Sequence, residues 1–237
     1  MTLAIMQPYL LPYIGYWQLI NTVDTFVVYD NIEFSKNGWF HRNNILLNGK
    51  KKLFTIPLKN DSDSLSVADR YLAENSDKQI RKFLAQIKNS YKKAPYFKEV
   101  FPIIESILLN KEKNLFKYIF YSIKKVCEYC NINTKIIISS DIKIDHTLKS
   151  QAKVVAINKI LNSNRYINPI GGVKLYDKDY FKEENINLLF LESEVPPYNQ
   201  FQEDYISHLS IIDIMMFNNK ENIASMLNKF ILKDIES

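Results

Sequence analysis

Apolar residues near the start of the chain fall in short runs, and each run stops at a polar residue. Leu3 to Met6 is apolar and ends at Gln7; Thr25 to Tyr29 is apolar and ends at Asp30. Short apolar runs bounded by turn residues predict strands, here 3–6 and 25–29. Between them, Pro8, Pro12 and Gly15 mark a tight turn crowded with Tyr9, Tyr13 and Tyr16, and residues 14–21 carry helical spacing. The chain therefore opens as strand, turn, helix, strand.

The pattern continues with segments 43–47 and 53–58, which predict a hairpin around Asn48-Gly49. Residues 59–76 are polar and read as loop. Helices are expected over 76–91 with Ser76 as N-cap, over 96–109 and over 115–129, with a break at Pro95. A β-branched strand at 135–139 follows, then a helix at 146–161 and a short strand at 165–168 running into Pro169-Ile170-Gly171-Gly172. A short helix at 177–184, a strand at 187–191, a helix at 206–217 and a terminal helix at 220–232 complete the reading. Strands alternate with helices at both ends, and three helices run consecutively in the middle. That order predicts an α/β fold: a mostly parallel, Rossmann-like sheet with a helical lobe. One unit over 1–237 is expected, with a helical subdomain at about 76–132 as the alternative.

Composition narrows the class. A 46% hydrophobic and 13% aromatic content across 237 residues excludes a disordered chain. The net charge of +5 suits an anionic ligand such as a nucleotide. The lysines are scattered, which argues against a nucleic-acid partner. No leader pattern and no apolar run of roughly 18 residues occurs, so no membrane span is expected and a cytoplasmic location is. Cys127 and Cys130 lie inside a helical pattern, far from His41, His146 and His208. They read as free core thiols, and no metal site is expected.

Candidate chemistry collects at the strand ends, where parallel sheets bind ligands. Gln7 and Asp30 end the first two strands, and Gly15 opens a helix whose N–H groups favour an anion. Tyr13-Ile14-Gly15-Tyr16 occupies the place of the His-x-Gly-His of nucleotidyltransferases. Uncharged tyrosines there match the nucleotidyltransferase architecture better than its chemistry. The segment from Lys36 to Asn43 joins two cations, an imidazole and an indole. Arg42 could clamp a phosphate, Lys36 add a point charge, Trp39 stack on a base or sugar, and His41 move a proton or simply cap the loop. Gly171-Gly172, with Tyr176 beyond, allows close backbone approach or forms a plain turn. Ser139-Ser140-Asp141 lies at another strand end, and His208 reads as a capping or surface group near Asp213.

Together these blocks resemble the WbqC-like family. The resemblance rests on Gln7-Pro8, Pro12 and Gly15-Tyr16; on Phe26 to Asp30; and on Trp39 with Arg42-Asn43. It continues through Tyr91, Ala94 to Phe97, Ser139-Ser140, Gly171-Gly172, Tyr176, Tyr198, Gln200 and Leu209 to Asp213. Many members carry Trp where Tyr13 stands. The resemblance implies a bacterial protein of O-antigen and surface-polysaccharide biosynthesis, in a family described as glycine transferases acting on amino sugars. The implied reaction forms an amide, glycyl or other acyl, on the amine of a nucleotide-linked amino-deoxysugar, expected to be dTDP-linked. The cofactor is unknown; ATP or another activated acyl donor would serve. On this reading Gly15, Lys36 and Arg42 hold phosphates, and His41 or Asp30 takes the amine proton. Gln7 and Tyr176 orient the substrate. Tyr9, Tyr13, Tyr16, Trp39, Asn43, Gly171, Gly172 and Tyr198 complete the binding set. The alternative is a non-catalytic accessory protein that binds a sugar nucleotide or a partner enzyme.

Overall fold

The computed structural model describes residues 1–62, 64–201 and 204–235. Its elements are β1 (Thr2–Met6), α1 (Ile14–Thr22), β2 (Thr25–Val28), β3 (Arg42–Leu47), β4 (Lys50–Thr55), α2 (Ser76–Tyr91), α3 (Phe97–Leu108) and α4 (Leu115–Tyr129). Then come β5 (Lys135–Ile138), α5 (Ser150–Ile160), β6 (Arg165–Pro169), α6 (Lys178–Glu183), β7 (Asn187–Ser193), α7 (Ile211–Phe217), α8 (Lys220–Leu227) and β8 (Phe230–Lys233). Single stretches of 3-10 helix lie at Val67–Asp69, Ser139–Asp141 and Ile170–Leu175.

Six strands form one sheet in the order β5-β2-β1-β6-β7-β8, parallel except for β8. Counted within the sheet alone, that order is 3-2-1-4-5-6, the doubly wound arrangement. Such strands are covered on both faces, which is why they read as unbroken apolar runs; all four residues of β2 are buried. Alternate side chains serve different layers. Ala4, Phe26 and Val28 pack with α1, α2–α4, α7 and α8, whereas Leu3, Ile5 and Val27 pack with α5 and α6. The helices α2–α4 put Ile87, Ile104 and Ile123 into the same apolar cluster as Trp17 of α1. No described helix is long and apolar enough to cross a membrane.

Several element boundaries depart from the sequence reading. The hairpin turn is only Asn48-Gly49, both at positive φ, so β4 starts at Lys50 rather than at 53. A two-residue turn of this kind leaves no gap between the strands. The α2 N-cap is Asn75, and Ser76 is buried in the first turn. α5 starts at Ser150, not 146, because His146 is held outside it: Asn31 Nδ2 lies 3.0 Å from Nδ1, and Nε2 lies 3.0 Å from the Ile142 carbonyl. α7 starts at Ile211, not 206, because the Gln200 side chain bonds both backbone groups of Ile206. α8 stops at Leu227, and the expected last turn of helix is strand β8 on the edge of β7. Buried Gln18 of α1 fixes that exit, donating to the carbonyls of Met226 and Lys229 at 2.8 and 2.7 Å.

Candidate functional site

The turn after β1 is braced from several sides. Leu11 adopts φ 47°, which a β-carbon tolerates poorly. The strained backbone is held by its neighbours. Buried Asn43 donates to the carbonyls of Leu10 and Leu11 at 3.2 and 2.8 Å. Ser210 Oγ also donates to the Leu11 carbonyl, at 2.6 Å, and Trp17 Nε1 to that of Pro12 at 3.0 Å. Buried Tyr16 donates to the Gln7 carbonyl at 3.0 Å, and Tyr9 to Gln7 Oε1 at 2.9 Å. Gly15 makes room for an aromatic ring: a Cβ there would sit 2.5 Å from the ring of Tyr13. Tyr16 and Asn43 are thus internal supports, and Gln7 is partly enclosed by them.

The braced turn presents Tyr9, Pro12 and Tyr13 to a pocket of about 320 Å³. Trp39, Asn43, Asn44, Lys51 and His208 complete its walls. Trp39 is 43% exposed, with the Arg42 guanidinium 5.5 Å from its ring centre. Arg42 also donates to the Asn37 carbonyl, which ties down the loop carrying Trp39. Burial, and then the neighbouring Tyr13, push the Tyr9 hydroxyl up to about 12, so it stays a neutral donor. His208 has φ 57° and lies 2.8 Å from Ser207 Oγ through Nδ1. Strained backbone of this kind concentrates at ligand sites. Aromatic faces with one cation and a few hydroxyls suit a base or sugar ring attached to phosphate.

Tyr13 and His208 also line a smaller pocket of about 120 Å³, with Ser193, Tyr198 and Tyr205. Behind it lies fully buried Asp213. Its Oδ2 accepts from Tyr198 at 2.6 Å and from Gln200 Nε2 at 2.8 Å, and its Oδ1 from Tyr91 at 2.8 Å. Burial raises the Asp213 pKa, and the three donors oppose that rise. Tyr198 is therefore both pocket wall and anchor.

The other expected residues lie elsewhere. Asp30 joins the ends of β2 and β5: its oxygens accept from the Ser140 N–H at 3.0 Å and the Ser140 hydroxyl at 2.7 Å. His41 packs on Phe34, ring centres 5.4 Å apart. Burial, then Arg42 and Arg70, push its pKa down to about 4, and its Nδ1 is buried without a partner. It is neutral at pH 7 and a weak base. Lys36 is exposed together with Glu33 and Ser35, while Phe34 between them is buried in the core. Gly171 has open space around it, whereas Gly172 accommodates the Asn168 amide, 1.8 Å from where a Cβ would stand. Neither adopts positive φ. Tyr176 pairs with Tyr166 through their hydroxyls at 3.3 Å, in the layer of α5 and α6. Cys127 and Cys130 are free and buried, their thiols pushed up to about 12.

Of the expected set, then, Tyr9, Tyr13, Trp39 and Asn43 meet in one pocket and Tyr198 in its neighbour. Sequence reasoning missed Lys51 and gave His208 no role. The Asn48-Gly49 turn was the available signal for Lys51, since it sets Lys51 opposite Leu46.

Three comparisons with known proteins bear on this geometry. The model of the WbqC-like protein family matches residues 7–225. The uncharacterized protein Rv1507c of Mycobacterium tuberculosis is 22% identical over 214 residues, covering 90% of this chain and 91% of its own. No solved structure matches.

Proposed function

Because the chain belongs to the WbqC-like protein family, we propose that it is a cytoplasmic transferase that forms an amide on the amine of a nucleotide-linked amino-deoxysugar. The observation that carries the binding half of this reading is the pocket walled by Tyr9, Tyr13 and Trp39 with Lys51 at its edge. In this reading the rings stack on the base or sugar, and Lys51 faces phosphate. The sugar nitrogen attacks the acyl carbon of an activated donor. A C–N bond forms, the bond to the leaving group breaks, and the nitrogen gives up one proton. We assign that proton to His208 rather than to His41, whose surroundings make it a weak base. ATP fits as the source of activation for a free acid such as glycine.

A second reading is a non-catalytic sugar-nucleotide binder. It is favoured by the engagement of Asp30 with Ser140 and by the suppressed basicity of His41. One experiment separates the two. Exposed Trp39 reports binding of a dTDP-linked amino sugar by fluorescence, since the other tryptophan, Trp17, is buried. Mass spectrometry after adding ATP and glycine reports the acyl product. Quenching with added mass supports the transferase. Quenching without added mass over a panel of acyl donors supports the binder, and no quenching sinks both.

A further inference from the structure

Lys153 is the least expected side chain in the molecule. It lies in the first turn of α5, at the carboxyl end of the sheet, and is 4% exposed. A lysine is rarely buried without a partner, because removing an ammonium from water is costly. Lys153 makes no hydrogen bond and no ion pair among the described residues. Its ammonium rests 4.8 Å from the ring centre of Tyr29. The nearby acid is Asp30, whose two oxygens are taken by Ser140. Burial lowers the Lys153 pKa, and Asp30 pulls it back up.

The backbone around it adds a second, separate oddity. α5 begins with Ser150 at φ 49°, its N-cap Lys149 makes no side-chain capping bond, and its first turn contains no acidic residue. A helix start leaves backbone N–H groups unsatisfied and carries partial positive charge. A buried lysine there adds like charge to like. Both features cost stability, and both are relieved by one event, arrival of an anion. Half-buried Tyr29 covers the ammonium, with half-buried Tyr176 beside it, so only a sliver of Lys153 reaches solvent.

We infer that Lys153 and the start of α5 form a phosphate-binding site, separate from the aromatic pocket and on the opposite face of the sheet. Its ligand is a phosphorylated small molecule. Lys153 supplies the charge, the first-turn N–H groups supply directional donors, and the Tyr29 hydroxyl is the adjacent neutral donor. Asp30 sets a limit: its charge opposes the ligand, so affinity rests on Lys153 remaining in place.

The test is calorimetric titration of the protein with inorganic pyrophosphate at low ionic strength. The wild type binds; Lys153→Met weakens binding at least tenfold, Lys153→Arg restores it to within a few-fold, and Lys93→Met, an exposed cation beyond the end of α2, leaves it unchanged. Lys153→Met also melts at or above the wild-type temperature, because the methionine removes a buried charge and keeps the volume. Binding that is absent in the wild type, or equal in Lys153→Met, overturns the proposal. So does a Lys153→Met variant that melts well below the wild type while still binding, since Lys153 is then a structural cation. Trp39 quenching by the amino sugar is independent of every arm, so the two sites fail separately.

Discussion

Asp213 and Lys153 are both buried ionisable side chains that form no ion pair among the described residues, yet the protein surrounds them in opposite ways. Asp213 receives three hydrogen bonds, from Tyr91, Tyr198 and Gln200. Lys153 receives only the face of Tyr29 and the field of Asp30, with which it forms no ion pair. Burial pushes each toward its neutral form, Asp213 upward and Lys153 downward. The difference lies in saturation. A buried polar group with every bond made fixes the structure around it, whereas one left unsatisfied costs stability and stays available to a ligand. Asp213 thus reads as a keystone behind the aromatic pocket, and Lys153 as a residue kept at the expense of stability.

The largest test of this contrast is Asp213→Ala. It strands three buried donors, and the expected loss is about 4 kcal/mol of unfolding free energy in urea. A loss below about 1 kcal/mol breaks the comparison at once. Next in size is the pH response of His41. Its folded pKa, about 4, lies below the ordinary imidazole value of 6.5, so the native state excludes the proton. That contribution is complete above pH 6.5 and fades as the pH falls toward 4, amounting to about 3 kcal/mol in all. His41→Phe is expected to flatten that part of the profile, measured as urea midpoints at pH 7 and 4.5. Matching slopes for the two proteins contradict a buried neutral imidazole.

Asn43→Ala is a smaller perturbation of a saturated group. It removes both donors to the Leu10 and Leu11 carbonyls, and about 2 kcal/mol is expected to go with them. Hydrogen exchange sharpens the result: amides at 9–13 accelerate while those of β5 do not, and a uniform acceleration argues against a local brace. The smallest effect is that of Lys153→Met, expected between no change and a gain of about 1 kcal/mol. Its sign, opposite to that of Asp213→Ala, is the measurement that separates the two residues.

The doubly wound sheet was legible because its signal is local and repeated. Runs such as Thr25–Val28 are apolar at almost every position, and helices follow them in a fixed rhythm. β8 was not legible: Phe230–Lys233 continues the apolar spacing of α8, and only pairing with β7 decides against helix. The aromatic wall of the pocket was readable from Tyr9, Tyr13 and Trp39, which crowd two turns. Asp213 and Lys153 were not. On paper each is a charge within an amphipathic helix, a setting normally solvated. Their burial is set by elements more than a hundred residues away, Tyr91 for the first and Tyr29 for the second. The same distance hid the role of Asn43, which reads as the start of a hairpin and serves as a brace on the loop 32 residues earlier.

The place of β1 has a consequence for how the protein is made. β1 is made before both of its neighbours yet lies in the middle of the sheet, paired on one side with β2 and on the other with β6. Its partner on the β2 side follows within some twenty residues, but residues 165–169 must be synthesised before the other edge is covered. The Leu11 carbonyl waits longer still, since Ser210 lies 199 residues downstream. Until then the nascent chain exposes the edge of an apolar strand, the kind of surface that pairs with other chains. Conditions that slow elongation between β2 and β6 are therefore expected to lower the soluble yield more than a pause of equal length after β7.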